Sequence, residues 1–313
     1  MKILFSADWH IKLGQKNVPI SWARERYYSF FQQIHNLEEQ VDLHIIGGDI
    51  FDRLPTLEEL ELYYDFISDI SVDTILYPGN HEATKKNKTF LDHLKKSSIQ
   101  VNGLIQIVTE CFENEYFSIL PYNDLHKKGI FKKLSGDKPL FTHVRGEIPP
   151  HVHPEVPLEN FDKFPIVFAG DLHAHSNTQR NIVYPGSPMT IEFHRKEVKT
   201  GYLIINFDSN KATWKWHKFE LPQLIRKTVS TQGEMVPTRY NHTIYELEGN
   251  LTELANVKNS DLLDKKVVKR SSEVSLILDN MTPDQELEEY LTYVLELPES
   301  EIKETMKVHN DYS

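Results

Sequence analysis

Five short segments carry residue types that bind metal ions, and each follows a stretch with the pattern of a β-strand. They are Asp8-Trp9-His10, Gly48-Asp49, Gly79-Asn80-His81, His143 and Gly170-Asp171-Leu172-His173. In an α/β domain the loops that leave the carboxyl ends of neighbouring strands converge on one side, so residues distant in sequence can meet there. Carboxylate and imidazole ligands suit manganese, iron, zinc or magnesium. A shared aspartate would let two ions hold the attacking and leaving oxygens of a phosphoryl displacement.

Taken singly, each of these segments has an ordinary structural explanation. Gly47 and Gly48 can form a tight turn in which Asp49 caps a helix, and Asn80 can be a turn residue. An isolated Asp-x-His is frequent by chance. Because the ordinary explanations need five coincidences in one order, the set favours a metal centre. His44, in contrast, falls within an apolar strand and is expected to be a core residue with its polar atoms satisfied.

The elements that must position these residues alternate between short apolar runs and longer helical patterns. The pattern predicts strands over 2–6, 43–46 and 73–77 and helices over 24–37 and 57–70. Further strands are predicted over 116–120, 140–143, 166–169, 182–184 and 201–207, and 212–222 is predicted to contain a final strand followed by an extended exit. The strand-rich second half indicates an α/β fold in which two sheets form a sandwich and helices lie outside it.

Three parts are predicted along the chain. Residues 1–222 form the large domain, 223–280 a small α+β domain, and 281–313 a helical segment. In the small domain we expect strands over 240–248, 266–269 and 274–278 and a helix over 251–257. Thr282, Pro283 and Gln285 are typical of a helix start, and two helices are predicted over 286–297 and 300–308.

Composition limits the class of protein. With 313 residues, 39% of them hydrophobic, the chain can bury a large core and a smaller one. One cysteine, Cys111, excludes a disulfide framework. The beginning of the chain shows no apolar export signal, and the apolar runs are strand-sized, so we expect a cytoplasmic protein that does not enter a membrane.

The net charge of −11 argues against a protein that holds nucleic acid through a broad basic face. Carboxylates that hold metal ions count as negative in the sequence, yet a metal-loaded site attracts phosphate. A local basic patch or a basic partner must then contribute the remaining attraction.

The ordered set resembles the calcineurin-like metallophosphoesterase superfamily, whose pattern is Asp-x-His, Gly-Asp, Gly-Asn-His, His and Gly-His-x-His. More narrowly, GDIFDR at 48–53, YPGNHE at 77–82 and VYPGSPM at 183–189 resemble the SbcD family of DNA double-strand-break nucleases. The resemblance covers residues 1–206 by motif and the remainder by layout. The short chain is typical of a compact, bacteriophage-type member, which would act in the cytoplasm of the host.

This resemblance implies the metallophosphoesterase two-sheet sandwich, a small capping domain and C-terminal helices. It also implies two divalent metal ions, with manganese favoured and magnesium as the alternative. One ion would be held by Asp8, His10, Asp49 and His173, and the other by Asp49, Asn80, His143 and Asp171. His81 would be the general acid. Asp171 departs from the family, which has histidine there, so metal preference at the second position is open.

The resemblance further implies DNA as substrate and a large SMC-like ATPase as partner. The activity would be that of a 3′-to-5′ exonuclease with endonuclease action, in DNA recombination, repair or degradation. An apolar stripe on the C-terminal helices would bind the ATPase, and the chain would form a homodimer. The chain has no phosphate-binding loop of its own for ATP. Candidate DNA contacts are Arg53, Lys266, Lys269 and Arg270, for which a salt bridge and an ordinary solvated strand face are the alternatives.

Two other functions remain open at this point. The same metal core occurs in phosphatases and cyclic-nucleotide phosphodiesterases, although these have no need of a capping domain and paired terminal helices. A non-catalytic scaffold that binds an ATPase or polymerase is the second alternative. The near-complete set of candidate ligands argues against it.

Overall fold

The computed structural model describes residues 1–84, 88–208, 211–268 and 281–312. The chain divides into two compact units. The larger contains Met1–Lys227 and Pro237–Ile244, and the smaller contains Thr228–Val236 and Tyr245–Ser313. The three-part division made from the sequence stays a prediction.

The strands, in chain order, have short and well-defined bounds. They are β1 (Lys2–Ser6), β2 (Leu43–Ile46), β3 (Thr74–Leu76), β4 (Ile105–Ile107), β5 (Phe112–Glu113), β6 (Ser118–Leu120), β7 (Leu140–His143), β8 (Val167–Gly170), β9 (Ile182–Val183), β10 (Gly201–Asp208), β11 (Lys211–Lys218), β12 (Leu224–Val229), β13 (His242–Gly249) and β14 (Leu263–Val268).

The α-helices lie between these strands and at the end of the chain. They are α1 (Ile20–Glu38), α2 (Leu57–Ser68), α3 (Leu91–Val101), α4 (Tyr122–Leu125), α5 (Ile130–Lys133), α6 (Leu251–Ala255), α7 (Pro283–Glu289) and α8 (Glu299–Tyr312).

Two sheets form the centre of the larger unit. The first has the strand order β11-β10-β1-β2-β3-β4, and the second has the order β5-β6-β7-β8-β9. Strands β1 to β4 run parallel to one another, and so do β6 to β9. The carboxyl ends of each parallel set therefore lie along one edge of its sheet, where the loops that carry the candidate ligands begin.

Strand β1 shows how the sequence directs its side chains to the two faces of a sheet. Ile3 and Phe5 belong to the apolar layer between the sheets, where the Phe5 ring lies 5.3 Å from that of Phe141 on β7. Leu4 points to the opposite face and packs in the layer formed with the helices. This alternation is the period of two that a strand imposes. The two-sheet sandwich predicted from the sequence is confirmed.

Helices α1, α2 and α3 cover the outer face of the first sheet through Phe30, Leu62 and Leu91. Helix α2 begins at a capping box. The Thr56 side chain accepts a hydrogen bond from the Glu59 backbone N–H, and the Glu59 side chain accepts one from the Thr56 backbone N–H. Helix α3 and strands β4 and β12 were not predicted from the sequence. Their apolar residues are few, and they are stabilised by neighbours distant in the chain.

The smaller unit contains the C-terminal helices and most of the predicted α+β domain. Thr282 caps α7 through a capping box with Gln285, as predicted. The predicted helix over 286–297 is wrong in its extent, because α-helical bonding ends at Glu289 and a π-helical turn, Tyr290–Val294, follows. The predicted strand over 274–278 lies outside the described residues. Nowhere in the described ranges is there a helix with the length and apolar character to cross a bilayer.

A buried polar network joins α1 to the first sheet. His44 is fully buried, and its two ring nitrogens lie 3.0 Å from Glu38 Oε1 and 3.1 Å from Ser6 Oγ, which satisfies it within the core. Glu38 also binds His35 at 3.1 Å. Burial opposes the charge of Glu38, but the hydrogen bonds from His35 and His44 outweigh it and lower the pKa of Glu38 to about 2.

We therefore expect Glu38→Gln to remove part of the acid sensitivity of folding. A carboxyl whose pKa is lower in the folded than in the unfolded chain stabilises the fold above the unfolded pKa, and this contribution is lost as pH falls. From pH 7 to pH 3.5, the stability advantage of wild type over Glu38→Gln should shrink by about 1–2 kcal/mol. Urea unfolding at both pH values measures this, and an advantage that does not depend on pH contradicts the prediction.

Candidate metal centre

The structure brings the predicted ligand side chains to one place at the edges of the two sheets. Three loops leave the first sheet there, after β1, β2 and β3, and β7 and β8 end beside them in the second. These loops and strand ends carry Asp8 and His10, then Asp49, then Asn80 and His81, then His143, and finally Asp171 and His173. Among the described residues, three overlapping groups of possible ligand atoms result: Asp8 with His10 and His173, His10 with Asp49 and His81, and Asp8 with Asp49 and His143.

The first predicted ion position lies between two imidazole rings. His10 Nε2 and His173 Nε2 face each other at 3.2 Å, and Asp8 lies in the same group. Two nitrogens that bind one ion at about 2.1 Å lie about 3.0–3.4 Å apart, depending on the bond angle. The separation of the two rings therefore fits a shared cation.

The second predicted position is surrounded by Asp49, Asn80, His143 and Asp171. His143 Nε2 lies 3.4 Å from Asp49 Oδ2 and 3.9 Å from Asp171 Oδ1, and the Asn80 amide oxygen lies 2.9 Å from the same nitrogen. That oxygen faces atoms that accept hydrogen bonds. A cation among these atoms would relieve the repulsion. An amide rotated by 180° would also relieve it, because its nitrogen would then lie 3.1 Å from Asp49 Oδ2 and 3.2 Å from Asp171 Oδ1.

Asp49 lies between the two groups. Its Oδ2 is 3.7 Å from His10 Nε2 and 3.4 Å from His143 Nε2, so one carboxylate reaches both candidate positions.

An unsatisfied carboxylate oxygen supports a metal in this set of residues. Asp8 Oδ2 is buried and makes no hydrogen bond within the part of the chain that the structure describes. Buried polar atoms normally have a partner, because burial without one is costly. A divalent cation bound to the Asp8 carboxylate would give this oxygen a partner. The residues present therefore fit a metal ion.

The backbone at the predicted ligands is unusual. Asp8, His10, Asp49 and Asp171 have φ angles of 59°, 45°, 52° and 99°. Non-glycine residues rarely adopt positive φ, and such conformations persist only where the surroundings impose them. Four of the seven such residues in the described ranges are predicted ligands, so the strain is concentrated at this site.

Two glycines allow the loops after β2 and β3 to touch. A Cβ atom at Gly79 would lie 2.2 Å from Asp49 Oδ1, and one at Gly48, where φ is 85°, would lie 2.7 Å from the Gly79 Cα atom. Neither contact is sterically allowed. The glycines of the motifs are therefore required by the close packing of ligand loops.

Glu82 holds the same two loops together. Its fully buried carboxylate accepts hydrogen bonds from the backbone N–H groups of Asp49 at 2.9 Å, Phe51 at 2.9 Å and Gly79 at 2.8 Å. Bonds to a carboxylate are stronger than bonds between neutral groups. No local pattern indicated this role, because it depends on three backbone groups that the fold brings together.

Protons and charge are unevenly distributed over the site. Burial lowers the pKa of His10 to about 3, so this ring is neutral and its nitrogen can bind a metal. Burial also raises the pKa of Asp8 well above its usual range. For His143, burial disfavours the charge, but Asp49 and other carboxylates outweigh it and raise the pKa. Its Nδ1 lies 2.9 Å from the Gly47 carbonyl oxygen, which fixes the ring.

His81 lies at the rim of the centre, with its side chain 36% exposed. Its Nδ1 donates to the Asp52 carbonyl oxygen at 2.5 Å, and its Nε2 lies 3.9 Å from Asp49 Oδ2. The backbone N–H of His81 donates to Asp49 Oδ1 at 2.9 Å. The hydrogen bond of Nδ1 thus fixes the ring, and Nε2 points toward the centre.

Arg145 is a site residue that the sequence analysis missed. Its Nε lies 3.2 Å and one terminal nitrogen 3.4 Å from the Asp171 carboxylate, and its side chain is 45% exposed. It balances the charge that an aspartate introduces where the family pattern has a neutral imidazole. The signal available in the sequence was the extra carboxylate at Asp171, together with an arginine just after the candidate ligand His143.

Two of the four predicted DNA contacts, Arg53 and Lys266, bind other groups in the structure. Both terminal nitrogens of Arg53 bind Glu59 Oε1 at 3.0 Å, which is the salt bridge considered as the alternative. Lys266 on β14 donates to the Val257 carbonyl oxygen at 2.8 Å. Lys269 and Arg270 lie outside the described residues. A role of these side chains in binding DNA stays a prediction.

Known proteins that resemble this chain are phosphoesterases and nucleases. Residues 1–161 match the family model described as calcineurin-like phosphoesterase. The chain is 40% identical over 313 residues to "Probable exonuclease subunit 1" of Escherichia phage T5, covering 96% of this chain and 95% of that protein. It is 31% identical over 114 residues to a subunit of nuclease SbcCD from Rhodobacter capsulatus, covering 34% and 27% of the two chains.

We expect Glu82→Gln to loosen the centre. The amide nitrogen of glutamine must face at least one of the backbone N–H groups from which the carboxylate now accepts a hydrogen bond. Two donors would then face each other without an acceptor between them. Burial raises the pKa of Glu82 to about 7, so at pH 8, where the carboxylate is ionised, loss of these charge-assisted bonds should destabilise the fold by about 2–3 kcal/mol and weaken divalent-ion binding. Urea unfolding and calorimetric titration with Mn²⁺ measure the two effects. Glu61→Gln, at an exposed salt bridge to Arg24, is the matched control and should change neither.

Divalent ions should stabilise the protein and release protons as they bind. Metal ligands must be deprotonated, and the raised pKa values of Asp8 and His143 strengthen the competition from protons, so affinity should be weaker at pH 6 than at pH 8. At a Mn²⁺ concentration 100 times the Kd, the free energy of unfolding should rise by about 2.7 kcal/mol for each ion. Titration in buffers of different ionisation enthalpy counts the protons. Equal affinity at both pH values would contradict this account.

Proposed function

The chain belongs to the calcineurin-like phosphoesterase family, and on that premise we propose that it is a two-metal nuclease that hydrolyses phosphodiester bonds in DNA. The family resemblance inferred from the motifs is confirmed by the comparisons, and the chain is a hydrolase of phosphoesters. The nuclease activity, the number of ions and the substrate are the proposal.

The observation that carries the proposal is the position of Asp49. A carboxylate oxygen that lies 3.7 Å from one candidate ligand nitrogen and 3.4 Å from another supports a bridge between two ions. We assign Asp8, His10, Asp49 and His173 to one ion and Asp49, Asn80, His143 and Asp171 to the other. We take manganese as the favoured ion and magnesium as the alternative because the family resemblance implies them, and carboxylate and amide oxygens are ligands that suit both.

Two divalent ions in such a site supply positive charge that stabilises the transition state of phosphoryl transfer and favours deprotonation of the attacking water. Residues of the chain donate the proton and bind the phosphate. His81 is anchored through Nδ1 and directs Nε2 toward the centre, so it can donate a proton to the leaving oxygen. The exposed edge of the Arg145 guanidinium can bind a phosphate oxygen while its other edge remains on Asp171.

The names of the similar proteins support a nuclease that works in an assembly. One is called a subunit of an exonuclease and the other a subunit of a nuclease complex. We extend this to a 3′-to-5′ exonuclease with endonuclease action, which serves DNA recombination, repair or degradation in the cytoplasm. An SMC-like ATPase is the proposed partner, and a homodimer the proposed state. Exposed Tyr290, Tyr293 and Val294 on the C-terminal helical segment support a partner surface there.

Hydrolysis of a labelled linear DNA duplex with added Mn²⁺ tests the proposal. Wild type should degrade the duplex, and His81→Ala should lower the rate by about 10²- to 10⁴-fold, because proton transfer to the leaving oxygen is lost. The metal content of His81→Ala, measured by elemental analysis, should match that of wild type. His93→Ala, at an exposed histidine on α3, is the matched control and should keep the wild-type rate.

The other outcomes separate the alternatives. Turnover of a phosphomonoester such as p-nitrophenyl phosphate, with none of the duplex, would identify a phosphatase. No turnover of either substrate, together with no bound metal under any condition, would identify a scaffold. A full rate in His81→Ala would show that the general acid has been assigned to the wrong residue.

A further inference from the structure

The loop after β1 holds two candidate ligands in an uncommon backbone conformation. Asp8 and His10 have φ angles of 59° and 45°, and non-glycine residues keep such angles only where the surroundings impose them. The loop after β2 holds one side. There the Asp8 N–H donates to the Gly48 carbonyl oxygen at 3.0 Å, and the His10 N–H donates to that of Asp49 at 2.9 Å. The carbonyl groups of the β1 loop need other partners.

Tyr27 on α1 binds the other side of this loop through its hydroxyl. The hydroxyl donates to the His10 carbonyl oxygen at 2.6 Å and accepts from the Lys12 N–H at 2.9 Å. One side-chain oxygen thus binds the backbone on both sides of Ile11, directly after the candidate ligand. Tyr27 is 2% exposed, so its hydroxyl is shielded from water.

The position of Tyr27 is fixed by the buried face of α1. Tyr27, Phe30, Phe31 and Ile34 follow the spacing i, i+3, i+4 and i+7, and all four are buried in the layer between the helices and the first sheet. The Phe30 ring also packs edge-on against the ring of Trp9, with the ring centres 4.9 Å apart. The same helix face therefore contacts the side chain between the two ligands and the backbone after the second. Groups on a packed helix are placed more precisely than groups on a loop.

Several distances in the centre depend on where the His10 backbone lies. His10 Nε2 is 3.2 Å from His173 Nε2 and 3.7 Å from Asp49 Oδ2, and the His10 ring lies 4.7 Å from the ring of His81. A metal site requires ligand distances within about 0.2 Å of their usual values. A small shift of the His10 backbone would therefore weaken binding of the ion that this ring shares.

We propose that Tyr27 is a positioning residue for metal binding. Its hydroxyl fixes the backbone of His10 so that the ring meets one ion together with Asp8 and His173. Tyr27 touches neither the ion nor the substrate, and it lies outside the motifs that carry the ligands. The inference rests on the proposed function, because it takes from it the assignment of His10 to a metal ion.

The first test is calorimetric titration of Tyr27→Phe with Mn²⁺. The substitution keeps the ring and removes the hydroxyl. The Kd of at least one Mn²⁺ ion should rise about tenfold, because groups that orient a metal ligand contribute about 10- to 100-fold to affinity. A Kd equal to that of wild type would overturn the proposal.

Tyr63→Phe is the matched control. Tyr63 on α2 is also fully buried, and its hydroxyl lies 2.8 Å from Ser98 Oγ on α3. Both variants should lower the melting temperature of the metal-free protein, because each leaves a buried hydrogen-bonding group without its partner. Tyr63→Phe should keep the wild-type affinity for Mn²⁺. An equal loss of Mn²⁺ affinity in the two variants would show a general effect of destabilisation and would overturn the assignment.

The second test asks whether Tyr27 acts through His10. In a His10→Ala background, adding Tyr27→Phe should change the Kd for Mn²⁺ by less than about twofold, because the ring that the hydroxyl positions is absent. In an Asn80→Ala background, which removes a candidate ligand of the other ion, adding Tyr27→Phe should still raise the Kd about tenfold. A tenfold effect in the His10→Ala background, or none in the Asn80→Ala background, would overturn the assignment.

These titrations need no DNA, so they separate the inference from the proposed function. If Tyr27→Phe weakens Mn²⁺ binding as expected and wild type cleaves no DNA, the nuclease function fails and the inference stands. If wild type cleaves DNA and Tyr27→Phe keeps its Mn²⁺ affinity, the nuclease function stands and the inference fails. Wild type that binds no Mn²⁺ would overturn both.

Discussion

The buried carboxylate of Glu82 binds three backbone N–H groups, and the geometry of the metal centre depends on this interaction. It joins the loop after β2 to the loop after β3 through Asp49, Phe51 and Gly79. The loops lie so close that only glycine fits at Gly48 and Gly79. Asp49 is forced into a left-handed conformation between them, and this aims one carboxylate at two groups of ligands. The candidate site is thus built from backbone packing first and side chains second.

The centre concentrates negative charge, and the fold offsets it in specific ways. Asp8, Asp49 and Glu82 are almost completely buried, where unpaired charge is costly. Histidines offset part of this charge, and Arg145 neutralises Asp171 where the family pattern has an imidazole. The negative charge that is not offset suits divalent cations. An acidic chain can thereby attract phosphate at one point without a broad basic surface.

The loop after β8 connects the metal centre to a cleft of about 680 Å³ whose lining includes Asp171, His173 and Ser187. It carries Asp171 and His173, which face both, and the backbone of Ser187 binds the His173 carbonyl oxygen. Gly186, with φ of 77°, lets the two segments approach, since a Cβ atom there would lie 2.8 Å from that same oxygen. Movement of one segment must therefore affect the other. The loop that carries two candidate ligands is thus joined to the segment around Ser187 through a few backbone contacts.

The sequence by itself determined the order of the motifs and the elements that precede them. The predicted strands 2–6, 43–46 and 140–143 coincide with β1, β2 and β7, because strand patterning is a local property. The capping box at Thr282 is local for the same reason. Tertiary structure alone decided that Arg53 binds Glu59 and that Arg145 binds Asp171. It also decided that Ser187 lines a cleft with a hydroxyl that makes no hydrogen bond to any described residue. These outcomes depend on distances between residues far apart in the chain, which no local pattern encodes.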